Sequence, residues 1–222
     1  MPQGEVSAAI EEYLEHIFRL QEAAGVARTG DVAKRLGVSP STVVNVVKWL
    51  ERRGLVMRQP YRGIRLTEKG RKAAIQAIRK HRLAERLLTD LLHMDWDKVH
   101  EAACKLEHGL TEEIMESLER GLGGPRTCPH GNPLPTKHGE VVEEEVVPLA
   151  DLDEGEGGVI AKIVEEEGGL LRYLSKLRLL PGAEVEVLER SPLGDLIAIR
   201  VGGERCVLSH RVASVIYARR VR

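Results

Sequence analysis

The sequence predicts an α+β protein, mainly α, with an N-terminal winged helix-turn-helix, a helical middle domain and a small C-terminal β-barrel. Three observations predict it. Apolar residues recur at three- and four-residue spacing over most of residues 7–119. Two short β-rich runs interrupt that pattern directly after a helix, a tight turn and a second helix. Beyond a stretch holding Pro125, Pro129, Pro133, Pro135 and Pro148, the pattern changes to strand-like alternation.

Residues 7–24 read as a helix, with Ile10, Tyr13, Leu14, Ile17 and Leu20 on one face. Ser7 is its candidate cap and Gly25 its end. Residues 30–36 form a short helix on Val32, Ala33 and Leu36, and Gly37 supplies the turn. Ser39 as cap and Pro40 at the first helical position open a third helix that runs to about Arg53. Leu55–Met57 and Ile64–Leu66 are short strands joined by the polar turn 59–63. Thr67–Gly70 opens a helix over about 68–92, and one further helix spans about 96–119. Residues 125–148 read as a linker, partly extended and mobile. Five short strands follow, at 158–164, 183–188, 196–201, 205–208 and 214–218, and suit a small closed barrel. The expected divisions are therefore 1–73, 74–124, the linker 125–148, and 149–222.

Composition narrows the function. With 42% hydrophobic residues in 222, the chain can bury a core, which excludes a wholly disordered protein. No apolar run is long enough to span a bilayer, so no membrane partner is expected. Three cysteines are too few and too scattered for a disulfide framework. No basic segment followed by an apolar stretch opens the chain, and a cytoplasmic location is expected. The net charge of −1 hides an asymmetry: residues 28–72 carry +9, and residues 73–222 carry −6. A basic block of this kind points to a polyanion, although charge alone fits a solvated surface equally well.

Helix, turn, helix and hairpin in this order make a DNA-reading module whose second helix enters the major groove. Its exposed positions are Ser39, Pro40, Ser41, Thr42 and Asn45, with Lys48 one turn on. Small hydroxyls and the free amides of a helix start suit phosphates, and Asn45 can reach a base edge. Arg62 and Arg65 on the wing, with Arg58 before it, would straddle the DNA backbone. Double-stranded DNA is the expected partner.

The helix over 96–119 carries His100, Cys104, Glu107 and His108 on one stripe, at about 3.6 residues per turn. The preceding helix adds His81 and Glu85, and the first adds Glu12 and Glu15. Imidazole, carboxylate and thiolate together suit a late first-row divalent ion. Cys128, His130 and His138 read as linker polarity. Leu87, Leu88, Leu91, Leu92, Leu106, Leu110, Ile114 and Leu118 exceed the needs of one helix pair and suggest a homodimer, with plain intradomain core as the alternative.

The stretches KHRLAERLLTDLL, KVHEAAC and LEH, within residues 71–119, resemble the diphtheria-toxin-repressor family of metal-dependent transcriptional regulators, above all its iron-responsive branch. The first 70 residues and the GNPLP segment match as well, and residues 146–222 look like the SH3-like domain of ferrous-transport accessory proteins. The resemblance implies a primary, activating metal site of Glu12, Cys104, Glu107 and His108, with Glu15 at a ligand position of the manganese branch. It implies an ancillary site of His81, Glu85 and His100, completed by Glu165 or Glu166. Glu12 is manganese-like and Cys104 iron-like, so the implied cofactor is Fe(II) first and Mn(II) a close second. The implied activity is metal-activated repression from a palindromic operator. The proline-rich linker or another peptide would be the ligand of the SH3-like domain.

Two rivals remain from the residues alone. A metal-dependent hydrolase would use the same donors, yet no Walker loop, His-Glu-x-x-His or nucleophile elbow is present. A winged-helix regulator answering to a non-metal ligand would leave Glu107 and His108 without a role.

Overall fold

The structure, a computed structural model, describes residues 8–59, 62–142, 144–191 and 195–221. Ser7, the candidate cap, and Pro60-Tyr61 of the wing turn lie outside the described residues. The chain divides into one unit of residues 1–80 with 135–140, and a second of residues 81–134 with 141–222.

In the first unit, helices α1 (Ala8–Ala24), α2 (Thr29–Leu36) and α3 (Pro40–Arg52) precede the hairpin of β1 (Val56–Gln59) and β2 (Gly63–Leu66). Ser39 caps α3: its Oγ accepts from the Thr42 amide at 3.1 Å, with Pro40 in the first turn. The strands pair antiparallel, Val56 opposite Leu66 and Gln59 opposite Gly63. Leu14, Ile17, Val32, Val43, Leu50 and Ile64 close one core between these elements. Each such aliphatic side chain contributes about 1.5–3 kcal/mol on burial. α4 (Glu68–Arg86) starts under a Thr67 cap, whose hydroxyl accepts from the Gly70 amide at 3.1 Å. Gly70 is required there, because a Cβ would stand 1.8 Å from the Leu55 carbonyl oxygen.

In the second unit α4 passes into a wider turn over Leu87–Leu91, closed by the Leu92 amide on the Leu87 carbonyl at 3.3 Å. The single helix expected over 96–119 is broken. α5 (Val99–Leu106) tightens into a short turn at Glu107–Gly109, and α6 (Glu112–Gly121) restarts beyond it. Thr111 is the cause: its extended backbone and its Oγ1, 3.4 Å from the Ile114 amide, cap a new helix. Leu83, Leu88, Val99, Ala103 and Met115 pack as the core here.

The expected mobile linker is, over 125–134, a folded loop. The Cys128 amide bonds the Asn132 carbonyl at 2.8 Å and the Gly131 amide bonds the Cys128 carbonyl at 2.9 Å. Prolines stiffen it and these backbone groups find partners, so it packs rather than wanders.

The rest of this unit is one antiparallel sheet. β3 (Val147–Pro148), β4 (Gly157–Ile163), β5 (Glu184–Arg190), β6 (Leu196–Val201), β7 (Glu204–Ser209) and β8 (Ile216–Arg220) run in the spatial order β3-β8-β4-β5-β6-β7. Register shifts at Ile160/Lys162 and Val187/Glu189 bend it around an aliphatic core that includes Leu152, Ile163, Val187 and Ile199. Helix α7 (Gly168–Lys176) and the one-turn α8 (His210–Ala213) add Leu171, Leu174 and Ala213 to that core. The strand expected to start at 214 therefore starts at Ile216, after that turn.

Candidate metal centre

Within the second unit, four segments converge: the end of α4, helix α5, and the two loops 125–134 and 164–167. His81 and Glu85 are one helical turn apart on α4, and α5 presents His100 and Cys104 at the same spacing. His81 Nε2 lies 3.1 Å from Glu85 Oε1 and 3.0 Å from His100 Nδ1. His81 Nδ1 lies 2.6 Å from Glu107 Oε2, so that carboxylate orients the ring. His100 Nδ1 is also 3.6 Å from Glu166 Oε2. One donor set is thus His81, Glu85, His100 and Glu166; Cys104 joins the two histidines on the exposed side. Glu165 takes no part in it and faces Arg211 at 4.0 Å.

A second set joins two of the expected ancillary residues, Glu85 and Glu166, to Cys128 and His130, whose sequence context reads as linker polarity. Glu85, Cys128, His130 and Glu166 bring their donor atoms together, and every one of the four is buried. Asn132 holds Glu166 in place, donating from Nδ2 to its Oε1 at 2.8 Å and to the Ile163 carbonyl at 2.7 Å. Gly131 lets the loop dock: at φ 84 its Cα approaches Ala161 so closely that a Cβ would lie 1.9 Å from the carbonyl oxygen. The Cys-x-His spacing of 128 and 130 was the local signal. Their partner Glu85 is remote in sequence, so only the fold shows the meeting.

Electrostatics follow from burial. Desolvation opposes charge on His81, but the Glu85 charge and bonds to Cys104 and Glu107 outweigh it, and its pKa is raised well above the ordinary histidine value. His100, similarly desolvated but bonded to Cys104 and Glu85, is raised to about 10. Burial disfavours ionised Glu85, yet the facing imidazoles hold it well below the usual carboxylate range. Burial, with the Glu85 and Glu166 charges, pushes the Cys128 thiol well up. The 3.0 Å contact between His81 Nε2 and His100 Nδ1 allows a proton on only one of the two nitrogens. Without a cation, these nitrogens would have to share protons. Glu85 Oε2 has no hydrogen-bond partner although Glu85 is 0% exposed, a cost a cation would remove. Nitrogen, carboxylate and sulfur donors together fit a late first-row divalent ion.

Of the residues expected at the activating site, Cys104 is exposed on α5, and Glu107 lies in the turn after it. His108 Nε2 is 3.7 Å from Glu107 Oε1. His108 is exposed in the tight turn that follows α5, rather than on a continuing helix. In the first unit α1 carries Glu12, exposed, and Glu15, buried and paired with Arg19 at 2.7 Å.

The same unit holds the expected nucleic-acid surface. Ser39, Pro40, Ser41, Thr42, Asn45 and Lys48 are all exposed along the start and outer face of α3. Val44, which sequence reasoning passed over, is exposed among them at 37%. Arg62 and Arg65 are exposed on the hairpin, and Arg65 donates to the Gly25 carbonyl at 3.0 Å. Arg58, on β1, pairs with Glu51 at 2.7 Å. No helix among the described residues is long and apolar enough to cross a membrane.

Three family models match the chain. Residues 5–64 match the N-terminal DNA-binding domain of iron-dependent repressors, and residues 67–136 their metal-binding and dimerisation domain. Residues 147–220 match the FeoA domain. The chain is 34% identical to the iron-dependent repressor IdeR of Mycobacterium tuberculosis over 230 residues, 98% of this chain and 100% of that one. It is 36% identical to the diphtheria toxin repressor of Corynebacterium glutamicum over 211 residues, covering 92% and 89%. Among solved structures, a manganese-dependent transcriptional repressor in complex with manganese superposes with a TM-score of 0.87 at 30% identity, covering 97% and 100%. The IdeR of T. acidophilum superposes with a TM-score of 0.82 at 29% identity, covering 97% and 98%.

Proposed function

The chain belongs to the iron-dependent repressor family of metal-dependent transcriptional repressors, and we propose that Fe(II), ahead of Mn(II), is the ion that lets its homodimer grip a palindromic operator. It is a regulator and not an enzyme. The observation that carries the reading is the buried nitrogen, carboxylate and thiol cluster around Glu85, which has no structural use for an orphaned carboxylate oxygen.

Glu12, with Glu15 beside it, and Cys104, Glu107 and His108 are the proposed activating ligands. His81, Glu85, His100 and Glu166 are the ancillary ones, Glu166 being preferred to Glu165 because its carboxylate reaches His100. The ion supplies positive charge that only deprotonated donors can hold. By ordering the residues that bind it, the chain spends less conformational entropy when α3 docks on DNA. Metal and DNA then strengthen each other's binding by one factor. Asn45 and Val44 read base edges and thymine methyls, while Ser39, Ser41, Lys48, Arg62 and Arg65 hold phosphates. Thiolate and imidazole donors in the cluster favour iron, and Glu12 keeps manganese close behind. A cytoplasmic location follows from the role.

The test is anaerobic. A duplex is selected from a random pool with Fe(II)-loaded protein, and its affinity is measured by fluorescence anisotropy with chelator, Fe(II), Mn(II) or Co(II). Tightening by at least about tenfold with Fe(II) is expected. Equal affinity in chelator removes the switch, and a stronger response to Mn(II) moves the physiological ion.

A further inference from the structure

The two buried donor sets share Glu85 and Glu166, and the way they share them decides how many ions they hold. Glu166 turns its two oxygens in different directions. Oε2 stands 3.6 Å from His100 Nδ1, while Oε1 stands 3.7 Å from His130 Nδ1 and 4.0 Å from Cys128 Sγ. Glu85 Oε1 is central to both sets, at 3.1 Å from His81 Nε2, 3.3 Å from His100 Nδ1 and 3.2 Å from His130 Nδ1. The second oxygen of Glu85 is buried and without a hydrogen-bond partner, and so is Nδ1 of His130.

A single ion would leave part of this arrangement unused. It would take one oxygen of Glu166 and leave the donors around the other facing nothing. We propose that His81 and His100 on one side, and Cys128 and His130 on the other, flank a two-ion centre bridged by the carboxylates of Glu85 and Glu166. Carboxylate bridges are what two dications roughly 3.5–4 Å apart require, since anionic oxygen between them offsets their repulsion in a buried site. The inner side is closed: Cys128 and His130 are 1% and 0% exposed. The outer side reaches solvent through the half-buried His100 and the exposed Cys104, so the outer position is the door to the inner one.

The inference rests on the metal-binding reading above, and its test does not depend on DNA. Full-length protein is reduced, loaded with Mn(II) and freed of excess ion. Manganese per chain is counted by elemental analysis, and the ions are examined by electron paramagnetic resonance. The wild type is expected to show an exchange-coupled pair beside any isolated Mn(II). Glu166→Gln keeps one oxygen donor but ends the bridge, and is expected to lose the coupled signal. His130→Ala and His100→Ala are each expected to bind one ion fewer, with far-ultraviolet circular dichroism confirming the fold. If the wild type shows only isolated Mn(II), or if neither histidine variant lowers the count, the sets are alternatives for one ion and the bridge is wrong. A coupled pair in protein whose DNA affinity ignores metal would overturn the switch and leave the bridge standing.

Discussion

The Nε2 of His130 lies 3.1 Å from the main-chain carbonyl oxygen of Trp96. A carbonyl accepts only, so Nε2 carries the proton and Nδ1 is the nitrogen turned toward Glu85 and Glu166. The indole of Trp96 in turn donates to the Pro129 carbonyl at 2.9 Å, which ties the loop to the turn before α5. Protein groups thus select which ring nitrogen is offered to the cluster before any cation arrives. Trp96→Phe keeps the carbonyl but loses the indole bond. It is expected to weaken Co(II) binding at the inner donors by about tenfold, the size typical of lost outer-sphere support. The thiolate-to-Co(II) charge-transfer absorption on titration measures it.

Metal uptake should release protons. In the metal-free cluster the raised His81, His100 and His130 share protons, and Cys128 is a thiol. A coordinated imidazole or thiolate has no proton on the ligating atom, so affinity rises with pH across the range in which these raised groups hold their protons. Calorimetric titration with Mn(II) in buffers of different ionisation enthalpy counts the protons; a buffer-independent heat would contradict this. The sign for the metal-free fold is opposite. A histidine raised on folding stabilises below its unfolded pKa of about 6.5, and that stabilisation is lost as pH rises toward about 10. Metal-free protein should therefore lose thermal stability above neutral pH while metal-loaded protein does not.

Leu91 and Leu92 are 53% and 63% exposed at the turn after α4, and Ile114 is 43% exposed on α6. Leu88 and Leu110, from the same apolar series, are core. Apolar side chains left bare on a helical domain of this family are expected to cover one another across a two-fold axis. Leu92→Glu buries a charge in that contact, and should weaken self-association by at least about a hundredfold, or about 3 kcal/mol. Sedimentation velocity across concentration reads it. An unchanged dimer would place the interface elsewhere.

What was legible in the sequence was local. Ser39 with Pro40, Thr67 with Gly70, and the period of Leu14 and Ile17 each act within a turn or two, and the fold reproduces them. Three things were not legible. Thr111 was hidden inside an apolar period that continues across it, so the break at Glu107–Gly109 went unread. α7 opens on Gly168-Gly169 with no side-chain cap, a start that helix propensity disfavours and tertiary packing of Leu171 and Leu174 overrides. Cys128 and His130 stand among prolines and glycines, a composition that argues for a linker. Their role depends on Glu85 and Glu166, contacts no local pattern contains. His81, Glu85 and His100 were legible because helical spacing already places two of them on one face.

The loop that carries Cys128 and His130 hangs on Gly131, and that dependence gives a final expectation. Its φ of 84 is the left-handed region, where a side chain is strained. An added Cβ would lie 1.9 Å from the Ala161 carbonyl oxygen and 2.8 Å from Lys162 Cα, both backbone atoms of β4 that cannot swing aside. The neighbouring bonds also hold β4 to the loop: the Ile163 amide donates to the His130 carbonyl at 2.9 Å, and Asn132 donates to the Ile163 carbonyl. Gly131→Ala must therefore push the loop off β4 or distort both. The cost should be about 2–3 kcal/mol, a few degrees in melting temperature for a unit this size. Withdrawal of the loop takes both inner donors with it, so the variant should also gain less thermal stability from Mn(II) than the wild type. Differential scanning calorimetry with and without the ion separates the two effects. A variant that melts lower but keeps the full Mn(II) increment would show that the loop's backbone, and not its cysteine and histidine, is what the fold needs there.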